Sequence, residues 1–178
     1  MSVKKYEFTS EVCLYNPALR RIRRISDGAL GGFIEFESNL SHDGTAWVSG
    51  DAMVSGNARV SGDAMVSGNA VVYGNAMVYG GAWVSGNAEV SGNARVSGDA
   101  EVSGNAVVSG RCFNLIWADY NITISDNILQ IGCESIPIGS TVHHDLQALA
   151  IKRGFDPIRA AAFIQVIEGM LLLKSIQG

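Results

Sequence analysis

The sequence predicts a mainly β protein whose centre is a parallel β-solenoid. Ala recurs every six residues from Ala46 to Ala106, Val from Val48 to Val108 and Gly from Gly50 to Gly110, with no insertion or deletion. Ala and Val two apart face the same side of an extended strand, and the residue between them faces the other. Gly followed by Asn or Asp, as in Gly56-Asn57 and Gly62-Asp63, is turn chemistry. Each hexad is therefore Ala-in, x-out, Val-in, then a corner. A strand this short buries nothing alone, so successive strands must stack.

Other repeats are excluded. Collagen needs Gly at every third position. A helix needs a 3.6-residue period and is opposed by a Gly and a β-branched Val in every phrase. Residues 45–111 form the solenoid, flanked by an N-terminal cap (1–44), a β-hairpin cap (112–138) and a C-terminal helical hairpin (139–178).

In the first segment, Tyr6-Glu7-Phe8-Thr9 and Arg21–Ile25 are strand candidates. Gly28–Glu35 then leads into Asn39–Gly44, a capping first coil that the open solenoid end requires. After the repeat, Ile122-Thr123-Ile124 and Ile128–Ile131 alternate around Ser125-Asp126-Asn127, which predicts a hairpin. Ser140-Thr141 cap a helix over Val142–Arg153, with Gly154 as its C′ residue. Asp156-Pro157 is an N-cap and N1 pair opening a second helix to about Lys174. That helix is apolar nearly all round. Ile158, Phe163, Ile167, Met170 and Leu171 are its expected oligomerisation surface.

The hexad, as in Val54-Ser55-Gly56-Asn57-Ala58, resembles the hexapeptide repeat of left-handed parallel β-helices. That resemblance implies the left hand and a triangular coil of three hexads, hence three to four coils. The flanks are more specific. Arg21-Ile22, Leu30–Asn39, Leu40-Ser41, Trp47 and Ile122–Cys133 resemble the entry and exit segments of hexapeptide-repeat proteins of phages and prophages, related to the polymer-forming group. The link between Arg24 and Gly28 is shorter than that family's. Most proteins of the group have no assigned activity.

If three hexads make one coil, outward residues 18 apart stack. One ladder is Trp47, Met65, Trp83, Glu101; the second is Met53, Val71, Glu89, Val107; the third is Arg59, Met77, Arg95. Tyr73 and Tyr79 replace Ser at corners. The hexad does not demand large apolar side chains outside, and contiguous apolar surface marks an interface. Trp47, Met65, Trp83, Tyr73, Tyr79, Met53, Met77, Arg59 and Arg95 are the expected partner or oligomer surface.

The net charge of −4 argues against general nucleic-acid binding. Residues 1–24 are basic, with Lys4, Lys5, Arg20, Arg21, Arg23 and Arg24 outweighing Glu7 and Glu11. Cys13, Cys112 and Cys133 lie far apart without a CxxC, the usage of reduced thiols. The start has no apolar leader, and no stretch approaches 18 apolar residues. The expectation is a cytoplasmic protein without a membrane segment.

No catalytic residue, cofactor or metal is expected. His143 and His144 beside Asp145 diverge by about 100° on a helix and do not converge on a metal. The best-known hexapeptide β-helices are acyltransferases with a His base at a subunit seam and loops leaving the coil. This repeat has neither His nor loop, and His42 is the only candidate base beside it. The expected function is a non-catalytic oligomeric binding protein, trimer or dimer, of phage or prophage origin. It acts in the host cytoplasm by contacting a host protein, as an inhibitor of a defence system such as a CRISPR effector. The alternatives are an acyltransferase relative with His42 as base, a structural virion component, and a nucleotide-sequestering sponge.

Overall fold

The computed structural model describes residues 4–109, 113–117, 120–124, 128–131, 134–138, 142–152 and 155–176. The expected corner at Ser125-Asp126-Asn127, the caps Ser140, Thr141 and Gly154, and the thiols Cys112 and Cys133 lie outside these residues. Among the described residues, the architecture is a parallel β-solenoid of about four turns, an antiparallel four-stranded sheet, and two C-terminal helices.

Three antiparallel-connected strands begin the chain: β1 (Tyr6–Val12), β2 (Arg20–Arg24) and β3 (Leu30–Ile34). Each hexad then contributes one two-residue strand, from β4 (Trp47–Val48) through β5 (Met53–Val54), β6 (Arg59–Val60), β7 (Met65–Val66) and β8 (Val71–Val72). The series continues through β9 (Met77–Val78), β10 (Trp83–Val84), β11 (Glu89–Val90), β12 (Arg95–Val96) and β13 (Glu101–Val102) to β14 (Val107–Val108).

These strands sort into three sheets, the sides of a prism. Face A runs β3-β5-β8-β11-β14 and is extended at one end by β2 and β1; face B is β6-β9-β12; face C is β4-β7-β10-β13. Partners are 18 residues apart and parallel, as in Trp47↔Met65↔Trp83↔Glu101. The ladder is bonded at three points per hexad, for example Trp47 N–H to Ala64 O, Ser49 N–H to Val66 O and Asp51 N–H to Gly68 O, each at 2.9 Å.

Every inward Ala and Val of the repeat, from Ala46 to Val108, is buried, whereas the outward Val71 and Val107 are half-buried. Corners are closed by the Ala N–H donating to the preceding Ser carbonyl, at 3.3 Å between Ala52 and Ser49. Gly is required there on two counts. Gly68 has φ of 68°, and a Cβ on it would lie 3.0 Å from backbone atoms of Gly86 one coil on. Outside two of the corners, amides stack in ladders, Asn57-Asn75-Asn93 and Asn69-Asn87-Asn105, at 3.1–3.2 Å.

The N-terminal segment is spliced into the solenoid. β3 continues face A in register, Phe33↔Met53 and Ile34↔Val54. After a 3₁₀ turn over Glu37–Asn39, Leu40 bridges to Val60 on face B. Asn39 is fully buried and fully bonded, its amide donating to Gly56 O at 3.0 Å and Ala58 O at 2.8 Å. Tyr6 and Ile22 join the solenoid core and close its end.

At the other end, β15 (Phe113–Trp117), β16 (Tyr120–Ile124), β17 (Ile128–Ile131) and β18 (Glu134–Pro137) form an antiparallel meander. Glu101 N–H donates to Thr123 Oγ1 at 3.2 Å, tying the last coil to β16. Helices α1 (Val142–Lys152) and α2 (Pro157–Ile176) follow. Asp156 Oδ1 accepts from Ile158 and Arg159 N–H at 3.0 Å, the predicted N-cap.

The expected oligomerisation helix is corrected here. Phe163 and Ile167 are buried inside this chain, in one cluster with Ile122, Ile124, Leu129 and Leu146, and Met170 and Leu171 pack partly against it. The sheet needs a cover, and α2 supplies it. Of the five residues, only Ile158 stands exposed. Among the described residues, no helix is long and apolar enough to cross a membrane.

Candidate functional site

The capping arm decides which outward residues remain available. Trp47 tops the face C ladder, yet it is only 4% exposed. The Arg24 guanidinium lies 4.4 Å from its ring centroid, and Tyr6 meets it edge-on at 6.5 Å. Met53 is half-buried against Cys13, Leu19 and Phe33, with its sulfur 3.7 Å from Cys13 Sγ. These two expected surface residues are therefore not open, because the arm folds back over the first coil.

The remaining seven are distributed by the register. Met65 and Trp83 lie on face C; Arg59, Met77 and Arg95 lie on face B. Tyr73 stands at the corner between faces A and B, Tyr79 at the corner between B and C. Tyr73, Met77, Tyr79 and Trp83 thus belong to one coil and form an aromatic belt. Trp83 is 54% exposed, and its indole N–H donates to Ser67 Oγ at 3.3 Å, which places the ring over face C. Tyr73 Oη donates to Glu89 Oε1 at 2.6 Å.

Ion pairing separates the arm's cations from those of face B. The arm's cations are consumed within the chain. Lys4 pairs with Glu37 at 2.7 Å, Arg21 with Glu11 at 2.8 Å and Asp51 at 3.1 Å, Arg23 with Glu7, and Arg24 with Asp27 at 3.1 Å. Arg21 Nε makes its ion pair without aiming its N–H at the Glu11 oxygen. Arg20 lies over the Phe8 ring at 4.0 Å. Lys5 Nζ donates to Ala46 O at 2.8 Å, and burial, with Arg24 nearby, lowers its pKa. By contrast, Arg59 and Arg95 are exposed and make no ion pair among the described residues.

His42 is a structural residue of the cap. Its Nδ1 accepts from Lys5 N–H at 3.1 Å, which assigns the proton to Nε2, and Nε2 donates to Glu37 Oε1 at 2.9 Å. Its ring stacks on Tyr6, centroids 4.4 Å apart. Tyr6 Oη in turn reaches Glu37 O and Leu40 O at 2.9 Å, and burial, reinforced by the Glu37 charge, raises the phenol's pKa. With both nitrogens engaged, His42 is not poised to take a substrate proton.

One surface escaped the sequence reasoning. The turn after β1 projects Leu14 and Tyr15, 94% and 91% exposed, beside a cleft of about 470 Å³ lined by Glu11, Arg21, Asp51, Met53 and Asn69. The turn is held by Cys13 N–H to Leu19 O at 2.9 Å and Leu19 N–H to Asn16 O at 3.0 Å. The Asn16-Pro17 turn signal was present, but nothing local says that Leu14 and Tyr15 stand exposed.

The family model for the YdcK beta solenoid repeat matches residues 46–61, 58–74 and 72–86. The coil is similar to that solenoid. The match falls on the repeat, leaves both flanks uncovered, and supports a repeat β-helix architecture. Among curated proteins, nothing matches this chain.

Proposed function

We propose that this chain is a non-catalytic binding protein, a rigid prism that presents its uncovered faces to other proteins. The observation that carries the reading is the belt. Tyr73, Met77, Tyr79 and Trp83 stand on one coil, on faces left bare by the chain's own cap. Large aromatic side chains of this kind are the usual anchors of protein interfaces. The coil leaves no loop for a cofactor tunnel between Trp47 and Val108, and the histidine nearest to it is committed to the cap.

The finer reading is a left-handed hexapeptide β-helix of phage or prophage origin, acting on a host protein, with a bacterial defence effector as the target class. The cap and exit motifs support it by resemblance. The exposed Leu14 and Tyr15 give that host protein a second, separate place to anchor.

The test is affinity capture from bacterial lysate with the tagged full chain, beside Trp83→Ala and Leu14→Ser/Tyr15→Ser variants. The reading expects a partner that is recovered by the parent and lost with one of the variants. Recovery of the chain alone refutes it. Calorimetry with acetyl-CoA tests the enzymatic alternative: binding lost in His42→Ala would restore it.

A further inference from the structure

We propose that the cleft beside Leu14 and Tyr15 is a docking site for an arginine side chain of a partner protein. This rests on reading the chain as a binding protein and names the chemistry that one of its surfaces selects.

The cleft lies where the turn after β1 packs on face A. Its floor is apolar, with the outward Phe33 and Met53 packed against Cys13. Its rim is made of hydrogen-bond acceptors. Glu11 and Asp51 present carboxylates that are 52% and 71% exposed. The amide ladder that rises through Asn105, Asn87 and Asn69 stops at Asp51. A carboxylate has no N–H to give, so Asn69 Oδ1 receives no proton from it.

The cation inside the rim is already committed. Arg21 pairs with Glu11 at 2.8 Å and with Asp51 at 3.1 Å. Its Nη1 donates to Gly31 O at 2.9 Å and Gly50 O at 3.0 Å, and its plane lies 4.2 Å from the Phe33 ring centroid. No edge of the guanidinium is left for an incoming anion. Its single charge answers two carboxylates, so the rim keeps a net negative charge carried by acceptors.

That excess decides the occupant. An apolar segment laid over the cleft would strip water from two carboxylates that share one cation, which is costly. An acidic segment adds repulsion. A guanidinium brings the missing charge and donors only. Its planar fork spans the two carboxylates, its stem lies on Met53, and its flat face meets the Tyr15 ring; the compact ammonium of lysine offers no such plane.

The source is a protein because Leu14 and Tyr15 flank the cleft at 94% and 91% exposure. A small free cation leaves both uncovered, whereas a segment with apolar residues beside its arginine buries them. The turn that presents them is already shaped. Cys13 N–H donates to Leu19 O at 2.9 Å, Leu19 N–H to Asn16 O at 3.0 Å and Ala18 N–H to Asn16 Oδ1 at 3.1 Å. Docking therefore pays little ordering entropy. A volume of about 470 Å³ admits one long side chain and the short segment that carries it.

The probe is a capped leucine–arginine–leucine tripeptide, with a control in which citrulline replaces arginine and removes the charge while keeping the length. Binding is read on the full chain by NMR of carbon-13 methionine methyls. Met53 reports from the cleft floor, and Met65 and Met77, on faces C and B, are internal references. The Met53 signal should shift and saturate with a Kd on the order of 1 mM, while Met65 and Met77 stay still. Citrulline should weaken binding about tenfold or more, Glu11→Gln and Asp51→Asn each by about threefold or more, and added salt should weaken it further. Unmoved Met65 and Met77 signals in the variants show that the coil is intact. No saturable Met53 shift up to about 10 mM, or a citrulline peptide that binds as well as the arginine one, overturns the proposal. A host protein captured equally by the parent and by the Glu11→Gln/Asp51→Asn double variant overturns the cleft as its seat and leaves the binding-protein reading. Arginine-selective binding with no protein captured from lysate upholds the site's selectivity and refutes that reading.

Discussion

Gly32 offers a sharp test of how the cap seats on the coil. It lies buried on β3, and a Cβ there would stand 2.6 Å from Ala52 O and 2.8 Å from Val48 Cγ1. Ala52 O is also the acceptor of the Phe33 N–H bond, 2.8 Å long, that joins β3 to the next coil. Restoring ordinary contact, about 3.4 Å, moves the strand outward by about 0.8 Å and stretches that bond past useful length. Overpacking costs about 1–3 kcal/mol and the bond about 1 kcal/mol more, so Gly32→Ala should cost about 2–4 kcal/mol. The same substitution at Gly169 on α2 meets nothing within 4 Å and should gain about 0.5–1 kcal/mol. Urea titrations followed by circular dichroism compare the three proteins. At a slope near 2 kcal/mol/M, the Gly32→Ala midpoint should fall by about 1–2 M. A Gly32→Ala midpoint equal to that of the parent would refute the described seating of β3.

Other consequences can be measured alongside. Tyr6→Phe leaves the carbonyls of Glu37 and Leu40 without their hydroxyl donor and should cost about 1–3 kcal/mol, read as a lower melting temperature; an unchanged melt contradicts the described role of Tyr6 in closing the solenoid end. Asn39→Ala removes three bonds at a fully buried site and should cost more than about 3 kcal/mol. Asn75→Ala, in an exposed ladder, should cost about 1 kcal/mol or less, so the ratio of the two midpoint shifts tests the burial argument. Hydrogen bonds from Lys4 and then His42 hold the Glu37 carboxyl below its ordinary 4.5. A depressed folded value means that this stabilisation is present above 4.5 and is lost as pH falls through the folded value. Glu37→Gln should therefore make the acid limb of the stability profile shallower, and parallel limbs would exclude the network.

Much of the coil was legible because its determinants are local. Strand direction, Ala-Val alternation and Gly-Asx corners act within six residues, and stacking at 18 then fixes which outward side chains share a face. The Asp156-Pro157 helix start was readable for the same reason. The paired glycines Gly31 and Gly32 were visible as a motif, but their cause, the close approach of Val48 and Ala52, was not.

The sequence by itself determined the solenoid, its register and the roster of outward residues. Only the tertiary structure decided which of them stay open. It covered Trp47 and Met53 with an arm that begins some forty residues earlier, turned Phe163 and Ile167 of an oily helix inward, and left Leu14 and Tyr15 in solvent. The physical reason is range. A hexad's conformation follows from its own chemistry, whereas exposure depends on where distant segments dock to bury apolar surface, and that is a property of the whole chain.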